Sequence, residues 1–544
     1  MMEGSDIKVP LSEQWIGVFV DWSCRQVPSS CSEDVKPILA KYIRSFCKNW
    51  LSGRGEVCVL PDDVEFLLAT GIVSDNKENT DALFLLDGLN FSTASFVRDK
   101  YFICEFFAKK VVFNPVCDLS AAESVVRLAF TEEEQWTDQM QAVYTALIIP
   151  WVLITGGPGT GKTTTLVGLL TALQQLKMVR SVALCAPTGK ATMNLVGVLN
   201  QVSLLLNKDD GKSCELKYSV KTIHSLLGYP YNNKKNSLLD FDVIIVDEAS
   251  MMDISLIKSL LNRIGCDSRL VLVGDSRQLG PIHGASIFRE LVREGKKLLL
   301  PSGLCLSSVI NLRTNYRFLS REIPVLAESI ISSNIEYWSH IEQNFKSDVE
   351  IVDYNGMSFD EWWVRICDGY SFYEDALRSS DDVCEWFFAL FKYRVLCAVV
   401  GGMHGVTNVN KVIGSIISRR LNRSDRGCLF FSGTPLMVVS NTPDKGLYNG
   451  DVGVFHWESQ GPGVSFMFKG GRKFIPWRDM PPCKEAWAVT VHKAQGSQFS
   501  SVAILLPDSK KILLSRVWLY TAVTRAKEHV LLCGSREQLS KFFL

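Results

Sequence analysis

Apolar and polar positions repeat in a strand–helix rhythm from residue 151 to about residue 330. Short, almost entirely apolar runs at 151–154, 181–185, 243–246 and 270–273 are separated by longer segments with helical spacing. Such runs are typical of strands that are buried on both faces of a parallel sheet. The alternation therefore predicts a doubly wound α/β domain.

The same rhythm returns towards the end of the chain, with apolar runs at 395–400, 486–491, 502–506 and 530–533. It is interrupted at about 431–484, where glycine-rich turns separate segments of alternating apolar and polar residues. A period of two indicates antiparallel strands with one buried face. We expect a small antiparallel β-barrel, of the SH3-like kind, inserted into a second α/β domain.

The first 118 residues carry no recognisable catalytic motif. They combine helical patterns, such as 38–50, with aromatic-rich runs at 101–103 and 111–113 that resemble strands. We expect a separate N-terminal α+β domain here. The predicted domains are therefore 1–118, 119–330 and 331–544, which suits a chain of 544 residues.

Composition places the chain among ordinary globular proteins, with 47% apolar and 21% charged residues. The first ten residues carry charge and no apolar segment, so we expect no signal peptide. The apolar stretch at 146–154 is about half a membrane span, so no membrane association is expected. The sixteen cysteines form no C-x-x-C pair. We expect a soluble, cytoplasmic protein with reduced cysteines.

Charge is distributed unevenly, although the formal net charge is zero. Residues 391–544 hold 21 Lys and Arg against 9 Asp and Glu, which suggests a polyanionic partner. Residues 331–390 hold 3 basic and 13 acidic residues, so this segment should avoid nucleic acid. Its acidity fits a solvated surface and a protein-binding role about equally well.

A glycine-rich loop at 156–163 matches the pattern G-x-x-x-x-G-K-[ST] at every fixed position. An apolar run precedes it and a helical segment follows it, which is the context of a phosphate-binding loop. Backbone N–H groups and the helix N-terminus would bind phosphates, Lys162 would reach the β- and γ-phosphates, and Thr163 would hold Mg²⁺. The expected ATP-binding residues are Gly156, Gly157, Pro158, Gly159, Thr160, Gly161, Lys162, Thr163 and Thr164.

Further polar residues follow other apolar runs or precede the loop. Asp247 and Glu248 come directly after the run 243–246, where one carboxylate can hold Mg²⁺ and the next can activate the attacking water. Gln278 follows the run 270–273 and is placed to contact the γ-phosphate. Gln139 lies seventeen residues before the loop, and its amide can pair with an adenine edge.

Eight motifs occur in a fixed order along the chain: GGPGTGKT, APTGKA, TIHSLLG, VIIVDEASMMD, LVGDSRQLGPI, LRTNYRF, AVTVHKAQGSQF and YTAVTRAK. Together they resemble the superfamily 1 helicases. In detail they are similar to the RecD subfamily, the α-subunit of exonuclease V (RecBCD). The likeness covers about residues 139–534 and includes the predicted insert.

The resemblance implies two RecA-like motor domains that enclose ATP and move along single-stranded DNA. It implies a 5′→3′ DNA helicase acting in double-strand-break repair and recombination, with RecB-like and RecC-like partner subunits. The N-terminal domain occupies the place where this family carries a domain that docks onto a partner. The chain shows no nuclease-like cluster of carboxylates and lysine, so nuclease activity would belong to the partners.

Family roles can be assigned to the matching positions. Gln139 would read adenine, Asp247 and Glu248 would act as metal ligand and general base, and Gln278 would sense the γ-phosphate. Two arginine fingers are implied, Arg317 and Arg525. The implied DNA-contacting residues are Thr188, Lys190, Thr222, His224, Thr490, His492 and Lys493.

One position departs from the family pattern, since Gln498 stands where an acidic residue usually follows Gly-Ser. A role of that position in holding the ribose is therefore open. Two alternatives to the main interpretation remain. The first is a free-standing RecD-like helicase without a nuclease complex, and the second is a nucleotide-dependent DNA-binding switch protein that never unwinds DNA.

Overall fold

The fold is taken from a computed structural model of the chain. It describes residues 13–28, 31, 34–51, 56–76, 79, 81–130, 135–206, 216–228, 237–281, 286–295, 297–299, 305–316, 320, 322–334, 348–354, 358–423, 430–468, 471–507 and 514–543. These residues form two parallel sheets, two larger antiparallel or mixed sheets and a short hairpin. Within these ranges, no helix is long and apolar enough to cross a lipid bilayer.

The N-terminal region combines helices with a small mixed sheet. Its strands pair in the order β1-β4-β3-β2. Phe84, Leu86 and Phe91 from this sheet pack against the first two helices in a core of their own. The elements are α1 Glu13–Arg25, α2 Val35–Leu51, β1 Val57–Cys58, α3 Val64–Leu68, β2 Val73–Ser74, β3 Phe84–Asp87, β4 Asn90–Thr93 and α4 Ala94–Lys110.

The first α/β unit contains a six-stranded parallel sheet in the order β12-β5-β9-β8-β6-β7, beside a β10–β11 hairpin. Its helices are α5 Leu119–Ala129, α6 Asp138–Ile148, α7 Lys162–Leu176, α8 Gly189–Leu206, α9 Ile223–Leu226, α10 Ile254–Leu261 and α11 Phe288–Arg293. Its strands are β5 Trp151–Gly156, β6 Ser181–Ala186, β7 Lys217–Thr222, β8 Val243–Val246, β9 Arg269–Gly274, β10 Lys297–Leu299, β11 Cys305–Ser307 and β12 Val309–Leu312. This confirms the predicted α/β architecture.

The central strands of this sheet have the sequence expected for their position. Every residue of β5, β8 and β9 is buried, because helices cover both faces of the sheet. The three strands are adjacent and parallel, so their carboxyl ends meet at one edge. That edge carries the glycine loop, the acidic pair and the Gln278 segment, which is where open α/β sheets bind ligands.

The second α/β unit contains a five-stranded parallel sheet in the order β13-β22-β21-β14-β20. Its helices are α12 Glu322–Ser332, α13 Phe359–Asp368, α14 Ser371–Ser379, α15 Val383–Leu390, α16 Val406–Arg420, α17 Val491–Ala494, α18 Arg516–Val523 and α19 Arg536–Ser540. Its strands, numbered with those of the insert in chain order, are β13 Val349–Val352, β14 Tyr393–Cys397, β20 Ala488–Thr490, β21 Phe499–Leu505 and β22 Ala526–Cys533.

An antiparallel unit is inserted between α16 and β20, as the alternating pattern predicted. Its strands are β15 Pro435–Val438, β16 Val452–Glu458, β17 Gly461–Phe468, β18 Gly471–Pro476 and β19 Cys483–Glu485. They pair in the order β18-β17-β16-β15-β19 around a small separate core that includes Leu436, Phe455 and Phe466. The classification of this insert as an SH3-like barrel stays a prediction.

The strand expected at 101–103 is wrong, because this run lies inside helix α4. The helix places its aromatic residues on the first α/β unit. The rings of Phe106 and Phe107 lie 5.5 and 5.4 Å from Trp151, which begins β5. The contact between helix and sheet overrides the strand propensity of the aromatic residues. Val111–Phe113, also expected as a strand, follows the helix without forming one.

Polar contacts attach the same helix to the first α/β unit. Asp99 forms an ion pair with Lys258 of α10. At the end of α4, Lys110 Nζ donates to the Cys266 carbonyl at 2.6 Å. Helix α4 therefore belongs physically to the core of the first α/β unit, although it precedes residue 118.

This packing predicts that two truncated chains will behave differently. A chain that begins at residue 119 lacks α4 and exposes the aromatic surface around Trp151, so we expect it to aggregate or melt well below the full chain. A chain that begins at Thr93 keeps α4 with its N-cap, where the Thr93 hydroxyl accepts from Phe96 N. We expect it to stay folded, as circular dichroism and thermal melting would show. Equal stability of the two chains would contradict this account.

Candidate active site

The glycine loop connects β5 to α7 in a conformation that requires glycine. Gly159 and Gly161 have φ angles of 84° and 81°, in the left-handed region that disfavours other residues. A Cβ on Gly161 would lie 1.9 Å from the side-chain nitrogen of Gln139. A Cβ on Gly156 would lie 2.4 Å from Thr160 Oγ1. The loop is thus closely packed as well as conformationally restricted.

Lys162 is turned back onto the loop, with Nζ donating to the carbonyls of Gly156 at 2.7 Å and Gly157 at 3.0 Å. Thr163 and Thr164 are exposed in the first turn of α7. The loop residues from Pro158 and the start of α7 line a cleft of about 630 Å³. The N–H groups at the start of a helix attract anions, so this wall of the cleft is suited to phosphate.

Gln139 supports the loop. It is 6% exposed, and its side-chain Nε2 donates to the Thr160 carbonyl at 3.2 Å. Thr160 Oγ1 in turn donates to the Gly157 carbonyl at 2.9 Å. The amide predicted to read adenine therefore fixes the glycine loop in this structure, and adenine recognition stays a prediction.

The acidic pair lies on the same cleft, directly after β8. Burial, together with the charge of Glu248, raises the pKa of Asp247 to about 7. Asp247 Oδ1 accepts from Glu248 N at 2.8 Å. Glu248 has a φ of 52°, a left-handed conformation that is unfavourable for a side chain of this size. Strained residues of this kind concentrate at functional sites.

Arg525 comes from the second α/β unit and lines the cleft opposite the loop. Its guanidinium is buried and donates to the carbonyls of Thr521 at 3.1 Å and Ser497 at 3.4 Å. Burial lowers its pKa, while the charges of Glu248 and Asp275 act in the opposite direction. The cleft therefore brings together the loop lysine, the acidic pair, Gln278 and one predicted arginine finger. The other, Arg317, lies outside the described residues.

Sequence reasoning missed several residues of this cleft. Tyr316 lines it, and its N–H donates to the Gly159 carbonyl at 2.8 Å. Asn315 Nδ2 donates to the Pro158 carbonyl at 2.9 Å. Both residues belong to the motif that contains Arg317, so the position of that motif could have indicated that they lie near the glycine loop. Gln498 also lines the cleft, as do Asn194, Gly197, Val198, Gln201 and Gly496.

The three threonines predicted to contact DNA make the same type of hydrogen bond to the backbone. Thr188, Thr222 and Thr490 each end a strand or follow one directly, and each hydroxyl accepts from a backbone N–H three residues later. Thr222 and Ala186 are opposite each other on the paired strands β7 and β6. The first two threonines therefore lie at neighbouring positions of one sheet edge.

The predicted basic contacts differ in accessibility. Lys190 reaches across to the Ser497 hydroxyl of the second unit. Burial and the Arg394 charge lower the pKa of Lys190 to about 8. Burial also lowers the pKa of His492. His224 and Lys493 are exposed. In this conformation Lys190 thus lies between the two units, whereas His224 and Lys493 lie at the surface.

Comparison with known proteins identifies the family. The AAA domain family matches residues 139–284, and the UvrD-like helicase C-terminal domain family matches residues 485–533. The RecBCD enzyme subunit RecD of Buchnera aphidicola (strain APS) is 30% identical over 72% of this chain and 71% of its own length. The protein of the same name from Mycobacterium tuberculosis (strain H37Rv) is 30% identical over 73% and 69%. The chain belongs to the RecD family.

Membership of the RecD family confirms the predicted activity, and the chain is an ATP-dependent DNA helicase. The alternative of a binding switch that never unwinds DNA is not favoured by these relatives. Among solved structures, Bacteroides Pif1 bound to single-stranded DNA aligns at 16% identity over 73% of this chain and 91% of that chain, with a TM-score of 0.41. The sequence identity and the TM-score are both too low to support a conclusion about the function of this RecD-family protein.

Proposed function

We propose that the cleft between the two α/β units is the ATPase site of this helicase. One observation carries the proposal: Lys162, Thr163, Asp247, Glu248, Gln278 and Arg525 line a single cleft, although they come from two sheets. The two units are the RecA-like motor domains of the family, here called the first and second motor. ATP binds with its phosphates on the glycine loop and the start of α7, where N–H groups and Lys162 are available.

The residues present also fit Mg²⁺. Thr163 and Asp247 offer the hydroxyl and carboxylate oxygens that this ion prefers. The pKa of Asp247 is raised by burial and by a neighbouring carboxylate, so its ionised form would gain from a nearby cation. We assign Thr163 and Asp247 to hold the ion, which would neutralise phosphate charge. Lys162 leaves the Gly156 and Gly157 carbonyls and binds phosphate oxygens.

The remaining residues act on the attacking water and the transferring phosphoryl group. Glu248 takes the proton of the water, which it can do because its carboxylate follows the strand end and lines the cleft. Gln278 contacts the γ-phosphate. Arg525, and Arg317 by family likeness, stabilises the charge of the transition state when the motors close. Closing on ATP and opening after hydrolysis moves the motors along single-stranded DNA, in the 5′→3′ direction implied by the family.

Loss of an arginine finger lowers the rate of ATP turnover, whereas loss of a binding residue also weakens ATP binding. We expect Arg525→Ala to retain ATP binding and to lower DNA-stimulated turnover by roughly a thousand-fold. Arg525→Lys should recover little, because an ammonium lacks the planar fork of a guanidinium. Arg516→Ala, at the start of helix α18, which ends two residues before Arg525, is the matched control and should stay near wild type.

Lys162→Ala is the reference for a lost active site, since it removes the cation from the phosphates. It should abolish hydrolysis while the melting temperature stays close to that of the wild type. Turnover of Lys162→Ala near the wild-type rate would reject the site assignment. An equal loss of ATP binding and turnover in Arg525→Ala would instead make that arginine a structural residue.

DNA contacts are proposed at the strand ends and in the basic third of the chain. Phosphate contacts by hydroxyls and cations carry no sequence information, which suits a translocase. The residues are Thr188, Lys190, Thr222, His224, Thr490, His492 and Lys493. Exposure at the surface supports His224 and Lys493 most directly. Lys190 would have to leave Ser497 to reach a phosphate.

A salt titration tests this DNA surface. Each lost phosphate contact reduces the slope of log K against log [salt] by about 0.7 for single strands. We expect Lys493→Ala to reduce the slope of single-strand binding by about that amount. Lys541→Ala, an exposed lysine of the same basic third that pairs with Glu537 at 3.0 Å, is the control and should not change it. Equal slopes for Lys493→Ala and wild type would remove Lys493 from the track.

Assembly with RecB-like and RecC-like subunits is proposed from the names of the relatives, which are RecBCD enzyme subunits. The N-terminal region is the proposed docking part. It presents large apolar side chains to solvent, with Leu60 59% and Phe66 46% exposed. Exposed apolar residues of this size are typical of protein interfaces when they cluster. The alternative, a free-standing helicase, is not favoured by the names of these relatives.

Co-expression with the two partner subunits decides between these alternatives. We expect the full chain to co-purify with them and the chain beginning at Thr93 to be lost from the complex while it still binds ATP. Leu60→Glu with Phe66→Glu should have the same effect without any truncation. Thr93–Leu544 assembling as well as the full chain would exclude the docking role. Failure of the full chain to assemble would favour the free-standing helicase.

A further inference from the structure

Asp275 is a buried carboxylate in the contact between the two motors. It follows β9 and is 1% exposed. Its Oδ1 accepts from Arg277 N at 3.0 Å. Its Oδ2 accepts from Gln278 Nε2 at 2.9 Å and from the Tyr520 hydroxyl at 3.2 Å. One carboxylate oxygen thus binds the proposed γ-phosphate sensor of the first motor and a tyrosine of the second.

Tyr520 lies on helix α18, which is joined to the first motor at the next residue as well. Thr521 Oγ1 accepts from Leu279 N at 2.9 Å. The Leu279 carbonyl accepts from Gln495 Nε2 of the second motor at 3.1 Å. All these groups are buried, so the hydrogen bonds are shielded from competition by water. Residues 275–279 and helix α18 therefore form one polar contact, here called the motor seam.

The motor seam lies close to the glycine loop of the first motor and to Arg525 of the second. A Cβ on Gly157 of the glycine loop would be 3.3 Å from the Tyr520 hydroxyl and 3.1 Å from Arg277 Nη2. The Arg277 guanidinium lies 5.3 Å from the centre of the Tyr520 ring and pairs with Glu328 at 2.7 Å. After the end of α18, Arg525 donates back to the Thr521 carbonyl. The position of α18 therefore determines how far Arg525 is from the phosphates.

We propose that Asp275 is a positioning residue that couples the γ-phosphate sensor Gln278 to the arginine finger Arg525 through the Tyr520 hydroxyl. The inference rests on the ATPase site proposed above. Asp275 does not line the cleft proposed for ATP, whereas Gln278 does. It orients the Gln278 amide directly and fixes α18, which carries the finger. A shift of either partner changes the geometry of the other.

This coupling predicts a specific effect of the substitution Tyr520→Phe. The substitution keeps the aromatic ring and its contact with Arg277, and removes only the hydrogen bond to Asp275. ADP binding should stay within about twofold, because the glycine loop is untouched. DNA-stimulated kcat should fall on the order of tenfold, the effect expected for one hydrogen bond to a charged group. KM for ATP should change little.

A transition-state analogue separates positioning from a general structural effect. ADP with aluminium fluoride needs both Gln278 and Arg525 in place, whereas ADP alone needs neither. We expect Tyr520→Phe to weaken binding of the analogue about tenfold and to leave ADP affinity unchanged. Tyr373→Phe is the matched control. Its hydroxyl is equally buried and donates to the Gly433 carbonyl at 2.7 Å, far along the chain from the ATPase motifs.

Double variants test the route through Asp275. If Gln278 and Tyr520 act through the same carboxylate, Gln278→Ala with Tyr520→Phe should lower kcat by clearly less than the product of the single effects. Multiplicative effects would overturn the proposal. So would equal weakening of ADP and the analogue, or a Tyr520→Phe enzyme indistinguishable from Tyr373→Phe. A Lys162→Ala chain that still hydrolyses ATP would reject the ATPase site itself, which is a different outcome.

Discussion

The proposed ATPase cleft depends on a buried polar contact between elements that belong to two different sheets. The glycine loop, the acidic pair and Gln278 extend from the carboxyl edge of the first sheet, while Arg525 is held by helix α18 beside the second. Neither sheet alone contains the full set of groups. Hydrogen bonds in the motor seam are buried, at 2.9 to 3.2 Å, and an unpaired polar group there would carry the full cost of desolvation. The motor seam therefore stabilises the contact between the two motors and also favours one relative position of them.

The carbonyl groups of the glycine loop from 156 to 160 accept hydrogen bonds from protein groups. Lys162 and Thr160 both bind loop carbonyls, and Gln139 closes the arrangement from α6. Buried polar groups need partners, and the remaining loop carbonyls accept from Asn315 and Tyr316. In the proposed site, Lys162 would therefore exchange its bonds to loop carbonyls for bonds to phosphate. The glycines make this possible, since side chains at 156 or 161 would collide with Thr160 or Gln139.

Local sequence patterns predicted the parts of the site that adjacent strand ends bring together. Parallel strands place their carboxyl ends on one edge, so the residues after β5, β8 and β9 had to converge. Contacts distant in sequence were not predictable in this way. Asp275 and Tyr520 are 245 residues apart, and no spacing rule relates them. Helix α4 was missed because its aromatic residues favour strands locally, whereas their packing on Trp151 requires a helical face.

Two buried cations lie between the first and second motors, and their electrostatic surroundings differ. Near the ATPase groups, the buried Arg525 of the second motor is stabilised by the charges of Glu248 and Asp275 on the first. Near Lys190, the charge of Arg394 opposes that of the lysine, and Asp451 of the insert compensates only in part. Opposite charges thus offset part of the effect of burial on Arg525, whereas at Lys190 like charges add to it. If DNA reaches Lys190 as proposed, a nearby phosphate would offset this unfavourable charge.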